Sequence, residues 1–277
     1  MGAFFDSIHA RTEDVGAVQK ALEEVAMRCD AKFLLGPALN GWISILPGGS
    51  GPDETLSEEI ARQVLCDVFH LAVHDDDISF YFFYRNGKLV DQYNSCPDYF
   101  NAATEEEVQK SLGRPELFQD LLRGPSSLEK LKKLLASEKF SFESGRMSDF
   151  ADLLNLSNAL TDYDHIREGK RKHYVRIEFQ PQSADDYNKR GEARLAKNNL
   201  DGALADFKEA LKLNPDLTAA SENCGRVDAA RNDQKIRLAR MYNEFIRQHR
   251  KQGNLDEALV HADRAIELFP DYPPGVQ

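Results

Sequence analysis

Two stretches of 34 residues, 184–217 and 239–272, carry the same side-chain pattern at an offset of 55 positions (239 − 184). Tyr187, Ala203, Ala210 and Pro215 in the first correspond to Tyr242, Ala258, Ala265 and Pro270 in the second, and the endings KLNPD and ELFPD agree. Small residues at this spacing let two antiparallel helices approach closely, and the proline stops the second helix. Each stretch therefore predicts a helix–turn–helix hairpin, started in the first by the capping-box spacing Ser183-x-x-Asp186. Gly191 of the first stretch is replaced by Ile246 in the second, so the second pair of helices is expected to sit further apart. The 21 residues between them, 218–238, are too few for a further unit. They either hold a single helix or lengthen the one that follows.

The chain ahead of residue 180 has a different character. GAFFDSIH (2–9), KFLLG (32–36), WISIL (42–46) and HLAVH (70–74) read as strands. ISFYFFYR (78–85) and KLVDQYN (88–94) flank Asn86–Gly87. Asn-Gly between two such runs is a strong hairpin signal, because a type I′ turn needs positive φ at both residues. Apolar residues at helical spacing predict helices over 13–29, capped by Thr12, and 54–69, capped by Asp53. Residues 101–160 read as short helices, with capping-box spacings at Thr104-x-x-Glu107 and Ser126-x-x-Glu129. KHYVRIEF (172–179) reads as a last strand returning to the sheet. The order β-α-β-β-α-β-β-β predicts an α+β domain over 1–180: a mostly antiparallel sheet with helices on one face. The stretch Gln180–Ser183 is the expected boundary, and 181–277 forms an all-α helical-hairpin array.

The pattern of Tyr187, Gly191, Ala203, Phe207, Ala210 and Pro215 resembles the tetratricopeptide repeat, whose unit is a 34-residue helix–turn–helix. The resemblance covers about a third of the chain and implies a non-enzymatic docking surface for a protein or peptide. In this family the concave face, formed by one side of each unit's first helix, usually holds the partner. In the second stretch those positions are Arg240, Asn243, Arg247 and Arg250. Steps of 3, 4 and 3 residues keep them on one helical face. Three guanidiniums and an amide imply an acidic partner segment, since Arg offers paired donors to carboxylates. A solvated face, or an internal dock onto the acidic front domain, is the competing explanation of the row. Some family members hold chaperone C-terminal carboxylates with a Lys and an Asn on the first helix. Here those positions are Asn188 and Glu192, and a Glu would repel such a ligand. Two units bury little core, so the array is expected to lean on the α+β domain or on a second copy of the chain.

Charge narrows the partner class further. Residues 1–165 hold 15 basic and 28 acidic side chains, a net of −13, within a whole-chain charge of −11. So acidic a region repels nucleic acid and anionic membrane. No apolar run approaches the ~18 residues that cross a bilayer. Cys29, Cys66, Cys96 and Cys224 form no CxxC pair and are expected as reduced thiols in a cytoplasm.

Nothing in the front domain completes a catalytic or cofactor motif. PGGSGPD (47–53) sits where a phosphate loop would, but Pro52 removes an amide and Asp53 adds negative charge. His70 and His74 lie roughly 13 Å apart on one strand face, too far to share a metal, and Asp75–Asp77 reads as a polar turn. Cys96 would need a histidine in hydrogen-bond reach to act as a nucleophile, and His9, His70 and His74 fall on other strands. No cofactor or metal is expected. Two further classes remain: a small-ligand binder or hydrolytic enzyme with a site on the acidic domain, and an immunity- or inhibitor-type binder of a basic protein.

Overall fold

The Asn86–Gly87 dipeptide makes the turn its residues favour, with φ of 50° and 76°. It joins β5 (Ile78–Arg85) to β6 (Lys88–Asn94). The computed structural model describes residues 2–49, 53–122, 124–137, 140–168 and 172–268. It divides at Gln180 into two compact units. In the first, β1 (Phe5–Ala10), β2 (Lys32–Leu39), β3 (Trp42–Pro47), β4 (Val68–His74) and β7 (Val175–Glu178) join the hairpin in one sheet. The order is β6-β5-β4-β1-β3-β2-β7, and every neighbouring pair is antiparallel. The returning strand pairs with β2, placing Ile177 opposite Phe33.

Strand alternation puts large apolar residues on both faces of this sheet, and helices cover both. Ile8, Ile43, Ile45, Val68 and Tyr84 form one core with α1 (Val15–Cys29) and α2 (Glu54–Val64), the two helices expected there. Asp53 caps α2 by accepting from the Leu56 amide at 3.1 Å. The cap of α1 is Asp14, which accepts from Ala17, while Thr12 accepts one step earlier from Asp14. Helix α2 stops at Val64, short of the expected 69, because Leu65 turns left-handed and Val68 enters β4 opposite Tyr84.

The opposite face carries Trp42, Phe69, Leu71, Tyr81 and Phe83. Against it pack a 3-10 turn (Pro115–Phe118), α4 (Pro125–Ala136) and α5 (Glu143–Leu154). Phe69 stacks on Phe83 at 4.4 Å and meets Phe118 and Phe150 edge-on. α3 (Glu105–Lys110) begins with the expected capping box of Thr104 and Glu107. The box expected at Ser126 does not form, since Gly124 caps α4 and Pro125 is already in its first turn. A short α6 (Tyr163–Glu168) completes the unit.

The second unit is all-helical: α7 (Ala184–Ala196), α8 (Leu200–Leu213), α9 (Thr218–Lys251) and α10 (Leu255–Leu268). Ser183 and Asp186 form the expected capping box on α7. A Cβ placed on Gly191 would lie 2.5 Å from Cε1 of Phe207, so only glycine admits the ring of α8. Phe207, Leu200, Ala203 and Val227 form the core of this first hairpin and the start of α9. Residues 218–238 lengthen the next helix, giving a 34-residue rod of about 51 Å. The second hairpin, between the end of α9 and α10, buries Ala239, Ala258 and Ala265. Pro270 and the end of the second stretch lie outside the described residues.

Candidate partner-binding site

In the first hairpin the concave positions are occupied by the protein itself. Asn188 is only 8% exposed. Its amide donates to Glu192 at 3.1 Å, and Asn223 of α9 donates to both Asn188 and Glu192 at 3.0 Å. Arg226 then donates to the Asn223 carbonyl at 2.8 Å. This ladder ties α7 to α9 and satisfies the amides that would otherwise greet a ligand. On its other side α7 is held by Arg190 and Arg194, which both reach the buried carboxylate of Asp206 on α8.

The second hairpin differs. Arg240, Asn243, Arg247 and Arg250 all lie on the continuous last half of α9, within four helical turns. The guanidiniums of Arg240, Arg247 and Arg250 are exposed, and Asn243 is half-buried. Arg247 is 62% exposed and has a loose contact of 3.7 Å with Glu244 on the same helix. The face of α9 turned to α10 is a different one. It uses Tyr242, Phe245 and His249, whose rings gather around His261 at 5.3–6.1 Å. The rings gathered at His261 thus leave the three guanidiniums of the row exposed. Leu255, Leu259, Val260 and Ile266 on α10 are also exposed, each by half or more.

His70, His74 and Cys96 of the first unit each contact other side chains. His70 Nε2 lies 2.6 Å from Asp6 Oδ1, and His74 packs among aromatic rings. Among the described residues no three His, Cys, Asp or Glu side chains are grouped for a metal. Cys96 packs against Ala72, Ile78 and Phe80. His9 lies on the opposite face of the sheet, bonded to Ser7 at 3.0 Å. Cys29, Cys66, Cys96 and Cys224 form no disulfide. Burial pushes the Cys66 thiol up to about 11 and raises that of Cys224, so neither is a ready nucleophile. Residues 50–52 of the glycine-rich loop lie outside the described set. No described helix is long and apolar enough to cross a membrane.

Sequence reasoning missed two buried polar groups. Arg146, 1% exposed, pairs with Glu143 at 2.8 Å and donates to the carbonyls of Leu134 and Ser137. Tyr81 donates to Asp91, which Arg114 also holds. Neither set follows a hydrophobic period: Glu143 and Arg146 are near neighbours on α5, but their burial rests on contacts with Ser79, Leu134 and Ser137 that no local spacing marks. Both are fully engaged in holding the sheet to its helices.

No curated protein and no solved structure matches the chain. A family model does: residues 184–217, the hairpin of α7 and α8, match the tetratricopeptide repeat.

Proposed function

We propose that the chain is a non-enzymatic scaffold of the cytoplasm that docks an acidic segment of a partner protein on the row Arg240, Asn243, Arg247 and Arg250. The single observation that carries this reading is the contrast between the two hairpins. The first unit's concave side chains are locked in the Asn188–Glu192–Asn223 ladder. The second unit leaves three guanidiniums exposed on one face. An exposed Arg keeps its paired donors for an incoming carboxylate, and desolvation on docking strengthens each bond. The tetratricopeptide match supports a protein partner rather than a small molecule. Four cysteines outside any disulfide fit a reducing compartment.

Arg247→Glu tests the row. The full-length protein and the variant are used to capture partners from lysate, and both are melted. Release of captured protein with an unchanged melting temperature is the expected result. A lowered melting temperature would make the row an internal contact, and no change in either would make it a solvated face. Both of those outcomes overturn the reading.

A further inference from the structure

The turn between β4 and β5 carries an aromatic cluster that the α+β core does not use. His74 sits at its centre, with the rings of Phe4, Phe100 and Tyr99 at 4.8, 5.3 and 6.1 Å. Tyr99 also meets Phe100 edge-on at 4.9 Å. These rings come from three separate segments, yet they form one patch, and Phe100 and Phe4 are 61% and 52% exposed. Singly exposed aromatics are common on proteins; four joined through one central ring are a surface feature.

The patch is pre-shaped. Gly2 donates to the Asp75 side chain at 3.0 Å and Asp76 donates to the Ala3 carbonyl at 3.1 Å, which pins the segment carrying Phe4. Cys96 donates to Asn94 and Ala103 to Asp98, which pins the loop carrying Tyr99 and Phe100. Little ordering remains to be done on docking.

Its rim is acidic. Tyr99 donates to Asp77 at 3.4 Å, and Asp75 follows His74 directly. Burial, then the charges of Asp77 and Asp75, raise the Tyr99 phenol above its ordinary value. Other acids of this unit are neutralised in place, Asp67 by Arg85, Asp91 by Arg114 and Glu143 by Arg146. Among the described residues no Lys or Arg pairs with Asp75 or Asp77, and their bonds come from neutral donors. The excess of 28 acidic over 15 basic side chains in residues 1–165 extends the same field.

We propose that this patch docks a cationic segment of another protein, with an Arg or Lys side chain lying over the exposed rings and its charge at Asp75 and Asp77. Exposed aromatic faces attract guanidinium and ammonium groups, and adjacent carboxylates fix their position. Tyr, present here as Tyr99, and Arg are among the types that dominate binding hot spots. The surface is independent of the Arg row, so the two proposals stand or fall separately. If both hold, one chain carries docking faces for segments of opposite charge.

The test is a titration of the full chain with a labelled octa-arginine peptide at physiological salt. Phe100→Leu removes a ring but keeps apolar bulk at an exposed position, and Asp77→Asn removes one charge. Each is expected to weaken binding about tenfold. Glu24→Gln, on the exposed side of α1, removes the same charge remotely and should weaken it less than about twofold. Equal weakening by the remote variant would assign the binding to diffuse charge and overturn the proposal. So would an absence of saturable binding, or binding indifferent to Phe100→Leu.

Discussion

Gly191 on α7 and Phe207 on α8 fit together so closely that a Cβ on Gly191 would fall 2.5 Å from Cε1 and 2.7 Å from Cδ1 of the ring. The ring itself is wholly buried. In the second hairpin the corresponding residues are Ile246 and Ala262, so the large and small partners change sides. Gly191→Ala is therefore expected to destabilise the first hairpin. Overpacking costs about 1–3 kcal/mol and outweighs the ~1 kcal/mol that Ala gains in helix propensity. A thermal melt of the variant should show a lower midpoint for the helical unit; an unchanged or raised midpoint would contradict the close packing.

His9 gives the first unit a pH dependence. Burial, assisted by the charge of His70, pulls it from 6.5 down to about 3. The native state thus holds His9 neutral while the unfolded chain protonates it. Its contribution is fully present above about pH 6.5 and is lost as pH falls toward 3, with a slope of at most about 1.4 kcal/mol per pH unit. Urea unfolding at pH 7 and pH 5 should show this loss in the wild type. In His9→Gln the difference between the two pH values should shrink, and an unaltered difference would refute the assignment.

Arg146 and Glu143 form a buried pair whose disruption leaves a lone charge in the core. Arg146→Met is expected to destabilise by about 3–5 kcal/mol. Arg62→Met removes an exposed partner of Glu58 and Glu59, for which less than about 1 kcal/mol is expected. Chemical denaturation of the two variants side by side reads this contrast directly.

The Asn188–Glu192–Asn223 ladder also forbids one familiar ligand class. A chaperone-type peptide ending in EEVD would meet the Glu192 carboxylate where such ligands need a cation. Calorimetric titration with that peptide should give no heat of binding. Tight binding that disappears on changing Glu192 would show the ladder opens.

Much of the framework is legible locally. Asn86–Gly87 specifies its hairpin, Asp53 its cap, and Gly191, Ala203 and Ala210 the first helical pair, because each acts within one turn or one helix crossing. Legibility ends where the physics becomes long-range. The Phe4–His74–Phe100 contacts join residues far apart in sequence. Glu143 and Arg146 sit in a polar run, SFESGR, that carries no apolar period to mark its burial. The Asn188–Asn223 ladder depends on which face of α9 meets α7, which spacing alone leaves open. That Arg240, Asn243, Arg247 and Arg250 share one face of α9 is readable because steps of 3 and 4 fix it regardless of packing.

We propose that Arg240, Asn243, Arg247 and Arg250 bind an acidic partner segment. The most direct measurement is the affinity of the full-length chain for a glutamate-rich peptide, compared between wild type and Arg247→Glu, with both proteins melted in the same buffer. Saturable binding to the wild type is expected, with at least about a tenfold loss in the variant and one melting temperature for both. Equal affinity in the two proteins would contradict it.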